Sequence, residues 1–213
     1  MIVYKYYSSQ YDYSIKAGFF YLNTFENIRR HDSSQLIGDP QEAVATHSVN
    51  IDIFSDSPAT TARLNAATLG MIQISGSYGT IIRNSNFSSI LPNAYMFCVT
   101  QVRNDDYWQR VCNYNRCLRI ENFIDFSGQI SIALSEQQIR HAFSIRECTY
   151  NQRTGRVTNQ EFEVDTPCYF KKTPAHLDQQ ECRSVFVPVP AQTQHTLTPI
   201  NLYLGINGIS FIY

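Results

Sequence analysis

The chain has 213 residues, a formal net charge of −1 and only 16% charged residues, against about a quarter in an average globular domain. Hydrophobic residues at 43% and aromatics at 13% exclude a disordered chain, and the near-zero charge excludes a global field that would hold polyanions or an anionic membrane. No apolar run approaches the roughly 18 residues that a membrane-spanning helix needs. The length suits one well-filled core, so a single domain over 1–213 is expected. The six cysteines, Cys98, Cys112, Cys117, Cys148, Cys168 and Cys182, form no C-x-x-C pair. No signal peptide precedes them and several sit in apolar runs, which predicts reduced thiols in a cytoplasmic protein.

In chain order, IVYKYY at 2–7 predicts an opening strand, and Ser8 or Ser9 can cap a short helix to about Lys16 with Gly18 at its stop. FFYLN at 19–23 predicts a second strand, after which Thr24 can cap a helix over FENIRR. Alternation over 43–53 and 71–82, with a reversal at Gly76 and Gly79, predicts a meander. AYMFCVT at 94–100 predicts a central strand covered on both faces, followed by a charged loop. Strands are expected at 116–120 and 129–134, then a helix from Ser135 to His141. FSIRECTY and RVTNQEFEVD predict the arms of a hairpin turning at NQRTG, and SVFVPV and ISFIY the last strands. Strands outnumber helices and do not alternate with them, so the expected class is α+β with two mainly antiparallel or mixed sheets and short helices.

Few motifs carry chemistry on their own. His31, His47, His141, His176 and His195 are scattered, and no pair has metal-ligand spacing, so no metal is expected. SGSYG at 75–79 lacks the G-x-S-x-G order of a serine hydrolase. Glu161 and Glu163 share a strand face and read first as solvated. Arg103 and Arg110 flank Tyr107 and Trp108, a mixture of cations and rings able to hold phosphate and stack a base, or to anchor a half-buried helix. In LDQQECRSVFVPVP, strand periodicity from Gln179 would set Gln179, Glu181 and Arg183 on one face, with Gln179 and Glu181 about 7 Å apart. A carboxylate fixed there could stabilise the oxocarbenium-like state that forms when an N-glycosidic bond breaks.

The order K-Y-Y-S from Lys5, Y-x-N-x-x-x-x-x-R from Tyr21, G-D-P-x-E from Gly38, F-x-K from Phe170 and Q-x-E-x-R from Gln179 resembles a broad bacterial family of phage-defence and toxin–antitoxin effectors. Some of its members look like the ADP-ribosyltransferase fold. The resemblance implies a transferase toxin that uses NAD as substrate, releases nicotinamide and modifies a macromolecule, whether RNA, DNA or protein, with an antitoxin as a further partner. It implies catalytic roles for Glu181, gripping the ribose, and Gln179, facing the acceptor. Lys5 or Tyr6 would meet the adenosine side of NAD, Tyr21 and Asn23 with neighbouring aromatics the nicotinamide, and Arg30 a phosphate. Lys5 stands where that fold has His or Arg, and the chain has no S-T-S element. Two other readings compete. One is a non-catalytic module that docks a partner or nucleic acid through 101–110; the other is a hydrolase built on Asp39, Glu42 and Glu161.

Overall fold

The computed structural model describes residues 1–30, 42–53, 62, 65, 80–151, 154–158, 162–163, 168–189 and 197–212. Gly38, Asp39, Pro40, Glu161, His31, His195 and the reversal at Gly76 and Gly79 lie outside the described residues. The strands in chain order are β1 (Val3–Tyr7), β2 (Phe19–Thr24), β3 (Val44–Ile53), β4 (Thr80–Ile90), β5 (Tyr95–Thr100), β6 (Arg116–Ile120) and β7 (His141–Glu147). They continue with β8 (Thr149–Tyr150), β9 (Thr154–Thr158), β10 (Phe162–Glu163), β11 (Lys171–Lys172), β12 (Glu181–Pro188), β13 (Ile200–Tyr203) and β14 (Ile209–Ile212). Among the helices that accompany them are α1 (Asp12–Lys16), α2 (Phe25–Arg30), α3 (Asp105–Cys112) and α4 (Phe123–Glu136). The class is α+β, mostly sheet with few short helices.

The chain is organised as two compact units. The first gathers Met1–Glu42, Pro92–Thr149 and Ala175–Tyr213; the second gathers Ala43–Leu91 and Tyr150–Pro174. In the second unit β3 and β4 pair antiparallel, with a register shift between Val49 and Ile51, and β9 joins the other edge of β3 in parallel. Ala45, His47, Val49 and Ile51 are buried along one face of β3, as the alternation in the sequence requires.

The first unit is built on an eight-stranded sheet with the path β13-β2-β5-β1-β6-β14; β12 pairs with β5 and also with β7. Strand β5 is its hub. One edge pairs with β12 along its whole length, from Glu181↔Thr100 to Phe186↔Tyr95. The other edge is shared: β1 pairs at Tyr4↔Thr100, and β2 pairs at Asn23↔Met96 and Thr24↔Tyr95. The sheet therefore forks at the middle of β5. On the face carrying Phe97, helix α4 supplies the core, burying Phe123, Phe126, Ile130 and Leu134 at helical spacing. Phe97 is ringed by Phe20, Phe123 and Phe126 at centroid distances of 6.4, 6.5 and 5.3 Å.

Four differences from the sequence reading have identifiable causes. The segment 129–134, expected as a strand, belongs to α4. The β-branched residues of ISIAL favour a strand locally, yet Asn122 caps the run, accepting from Ile124 and Asp125 N–H, and the burial pattern has a helical period. The helix expected over 135–141 is instead the end of α4, a reversal at Gln138 and the start of β7. The charged loop after β5 contains α3, capped by Asn104, whose side chain accepts from Tyr107 N–H. The expected hairpin arms part company: β7 pairs with β12, and β9 pairs with β3.

Truncating Phe97 empties the centre of this core while leaving the sheet ladder intact. Phe97→Ala is expected to cost about 3–5 kcal/mol in urea unfolding, whereas Ile132→Ala, on the 62% exposed side of α4, should stay within about 0.5 kcal/mol. Equal losses would contradict this assignment of the core.

Candidate active site at the forked sheet

The face of the sheet opposite α4 carries the charged groups. Antiparallel register sets Glu181 beside Thr100 and Arg183 beside Cys98, and strand alternation turns all four side chains to that face. Arg183 is 1% exposed and is the largest fully buried side chain among the described residues. Its Nε donates to Glu181 Oε1, and its Nη1 donates to Glu42 Oε1 at 2.6 Å across 141 residues of chain. Glu42 is 1% and Glu181 8% exposed. The guanidinium also lies over the Phe25 ring, 5.8 Å from its centroid. Burial works against the Arg183 charge, but Glu181 and then Glu42 outweigh it and hold the group well above its ordinary range. Arg29 adds a brace, donating through Nη1 to the Glu42 carbonyl at 2.9 Å.

The fork itself is filled by Lys5. Cys98 lies on β5 between the pairings with β1 at Thr100 and with β2 at Met96 and Tyr95, and its carbonyl accepts from Lys5 Nζ at 2.9 Å. The ammonium sits 4.9 Å from the Phe97 ring centroid. Burial lowers the Lys5 pKa, while Cys98 and Glu181 oppose that shift. Burial pushes the Cys98 thiol well up, helped by Glu181 and opposed by Arg183 and Lys5. Cys98 is thus a protonated thiol hydrogen-bonded to Glu181, the opposite of an activated thiolate.

Aromatic rings stand beside this cluster on the same face. Tyr6 stacks on Trp108 (5.5 Å, 19°), and Trp108 stacks on Tyr114 (6.1 Å, 16°). The Tyr6 hydroxyl donates to Asp105 at 2.6 Å and accepts from Asn104 N–H at 2.8 Å, which ties α3 to β1. Burial, then the bond to Asp105, raises the Tyr6 pKa. Tyr114 is pushed up to about 12, chiefly by burial, and lies in electrostatic range of Tyr11 and Cys98. Tyr11 is likewise in range of Tyr21, which is half exposed on the outer side of β2.

The sequence-derived residues divide accordingly. Lys5 and Glu181 come together through Cys98, and Tyr6 and Tyr21 belong to the adjoining aromatic face. Gln179 is not on the strand: it ends a 3-10 turn over Pro174–Gln179, and Gln180 at φ 41° turns the chain before β12 begins, so strand periodicity does not extend back to it. Asn23 is occupied locally, its Oδ1 accepting from Thr24 N–H and Asn27 Nδ2 at the start of α2. Arg30 is paired with Glu26 one helical turn away. Arg103 is held by Asp105, which takes up the cation expected to meet phosphate. Glu42, offered above as a hydrolase carboxylate, is engaged by Arg183. Among the described residues no cluster of three or more His, Cys, Asp or Glu side chains could hold a metal. No helix among the described residues is long and apolar enough to cross a membrane.

Sequence reasoning missed Cys98, Tyr114 and the Glu42–Arg183 bond. Strand alternation in AYMFCVT would have put Cys98 on the face away from Phe97; no local signal joins residues 42 and 183. Comparison with known proteins finds no matching family model, no similar curated protein and no similar solved structure.

Removing the guanidinium strands two buried carboxylates. Arg183→Ala is expected to lose about 3–5 kcal/mol in denaturant unfolding. Arg119→Ala, which breaks a 3.1 Å pair with Glu121 whose side chains are 39% and 42% exposed, should cost less than about 1 kcal/mol. Tyr114 supplies a pH signature. Its folded pKa of about 12 lies above the unfolded value of 10.0, so the folded state keeps a proton that the unfolded chain releases. That contribution is intact below pH 10 and is lost as pH rises toward 12. Tyr114→Phe should flatten this part of the stability profile, measured by urea unfolding from pH 9 upward; an unchanged slope would contradict the assignment.

Proposed function

We propose that the first unit is an ADP-ribosyltransferase-like domain that cleaves the nicotinamide–ribose bond of NAD and transfers ADP-ribose to a macromolecule, as a toxin or defence effector. The observation that carries the reading is the Glu181 carboxylate, shielded from water and oriented by a fully buried arginine beside a fork flanked by tyrosines. Breaking an N-glycosidic bond leaves positive charge on the ribose. A carboxylate already fixed in place stabilises that charge without reorganising as it develops. The bond to Arg183 fixes the orientation of that carboxylate beside the fork. Tyr21, Tyr11 and Tyr114 offer flat surfaces for the nicotinamide ring. Lys5 would act by holding the fork open and balancing the charge of the cluster, since its ammonium is spent on the Cys98 carbonyl. Tyr6 would act as the pillar that positions Trp108 and α3.

The test is nicotinamide release from NAD in the presence of cell extract, followed chromatographically. Glu181→Gln should lower it at least about 100-fold while keeping its circular dichroism spectrum, because Arg183 retains Glu42 as partner. No release by the wild type, or equal release by the variant, would sink the proposal.

A further inference from the structure

A second constellation lies on the α4 side of the same unit, and the NAD chemistry does not use it. The Ser131 side chain, on α4, is 2.8 Å from His141 Nε2, and His141 Nδ1 is 2.8 Å from the Ile139 carbonyl. A carbonyl oxygen can only accept, so Nδ1 carries a proton, and in the neutral ring Nε2 then presents its lone pair to the Ser131 hydroxyl. The ring is further held edge-on against Phe186, with centroids 5.5 Å apart and planes at 74°. This is the relation of nucleophile, base and orienting group required to activate a serine, with a backbone carbonyl as the orienter.

The chain reversal that builds this arrangement is strained. After α4, Gln138 N–H bonds the Ser135 carbonyl and Ile139 N–H bonds the Leu134 carbonyl, the paired bonds of a Schellman cap. The left-handed position in that cap belongs to Gln138 at φ 63°, where glycine would be unstrained. A side chain is retained there at a cost of about 1 kcal/mol or more, and it lines a recess of about 420 Å³ together with Ser135, Ile139 and Arg140. Two of the residues that line the recess are tied to the dyad. Ser135 is one turn beyond Ser131 and donates to its carbonyl at 2.9 Å; Ile139 supplies both a wall and the carbonyl that orients His141.

The geometry points to a second active site, in which Ser131 is the nucleophile and His141 the general base for hydrolysis of small carboxylic esters. Ser131 Oγ attacks the ester carbonyl and gives its proton to His141 Nε2. The bond to the alcohol oxygen then breaks, and the alcohol departs with that proton. Water, deprotonated by the same nitrogen, hydrolyses the acyl-serine, so ester and water become acid and alcohol. The Gln138 amide and Arg140 guanidinium in the recess wall are the donors for the tetrahedral oxyanion.

The wild-type protein is treated with a fluorophosphonate probe and, separately, with p-nitrophenyl acetate; the adduct is located by peptide mass mapping. The expected result is a single adduct on Ser131, with p-nitrophenolate release that falls at least about 100-fold in Ser131→Ala and His141→Gln and is unchanged in Ser210→Ala. Gln138→Gly should raise the melting temperature while slowing release. No adduct, an adduct on another serine, or labelling that survives His141→Gln overturns the proposal. The wild-type map decides the matter even if a variant fails to fold.

Discussion

The Arg183 guanidinium is the group on which the candidate NAD site depends. Two carboxylates far apart in sequence would repel each other and pay a large desolvation penalty if buried together; the planar cation between them removes both problems at once. Arginine suits the position better than lysine, because two of its nitrogens can point in fixed directions at two separate acceptors. Glu42 is thereby joined to β12 within the first unit, and Glu181 receives one orientation. Glu181 owes its place at the first residue of β12 to a local device as well: the left-handed turn at Gln180 ends the 3-10 helix and launches the strand.

The fork in the sheet is the complementary constraint. A strand with three neighbours must divide one edge between two of them, and a backbone carbonyl in the division loses its ladder partner. An unmet buried carbonyl costs as much as a lost hydrogen bond. Lys5 meets that need, and in doing so brings a cation to the same stretch of β5 that faces Glu181 and Arg183 on its other side. Fold and chemistry are thus coupled: the irregularity that opens the sheet also demands the charge that fills it.

Local signals in the sequence were sufficient for the strands β1, β2, β5, β6 and β12 and for the cap of α2, where Thr24 Oγ1 accepts from Asn27 N–H. They failed where two periodicities compete, as in ISIAL, whose branched residues favour a strand while the spacing of Phe123, Phe126, Ile130 and Leu134 favours a helix. They also failed where pairing is non-local. Adjacent strands at 141–147 and 154–158 resemble a hairpin, yet each finds its partner far away in the chain. Of the candidate site, the Glu181–Arg183 spacing was legible because strand geometry fixes it. The bond to Glu42 was not, because only the folded topology brings position 42 to position 183.

The stack of Tyr6, Trp108 and Tyr114 gives the molecule an optical property. Trp108 is the sole indole in the chain and is held between two phenol rings beside the forked strand. Ultraviolet emission at long wavelength therefore comes from one place, and light absorbed by the flanking tyrosines is handed to it. The protein carries a built-in lamp on the face of the sheet that holds Glu181 and Arg183.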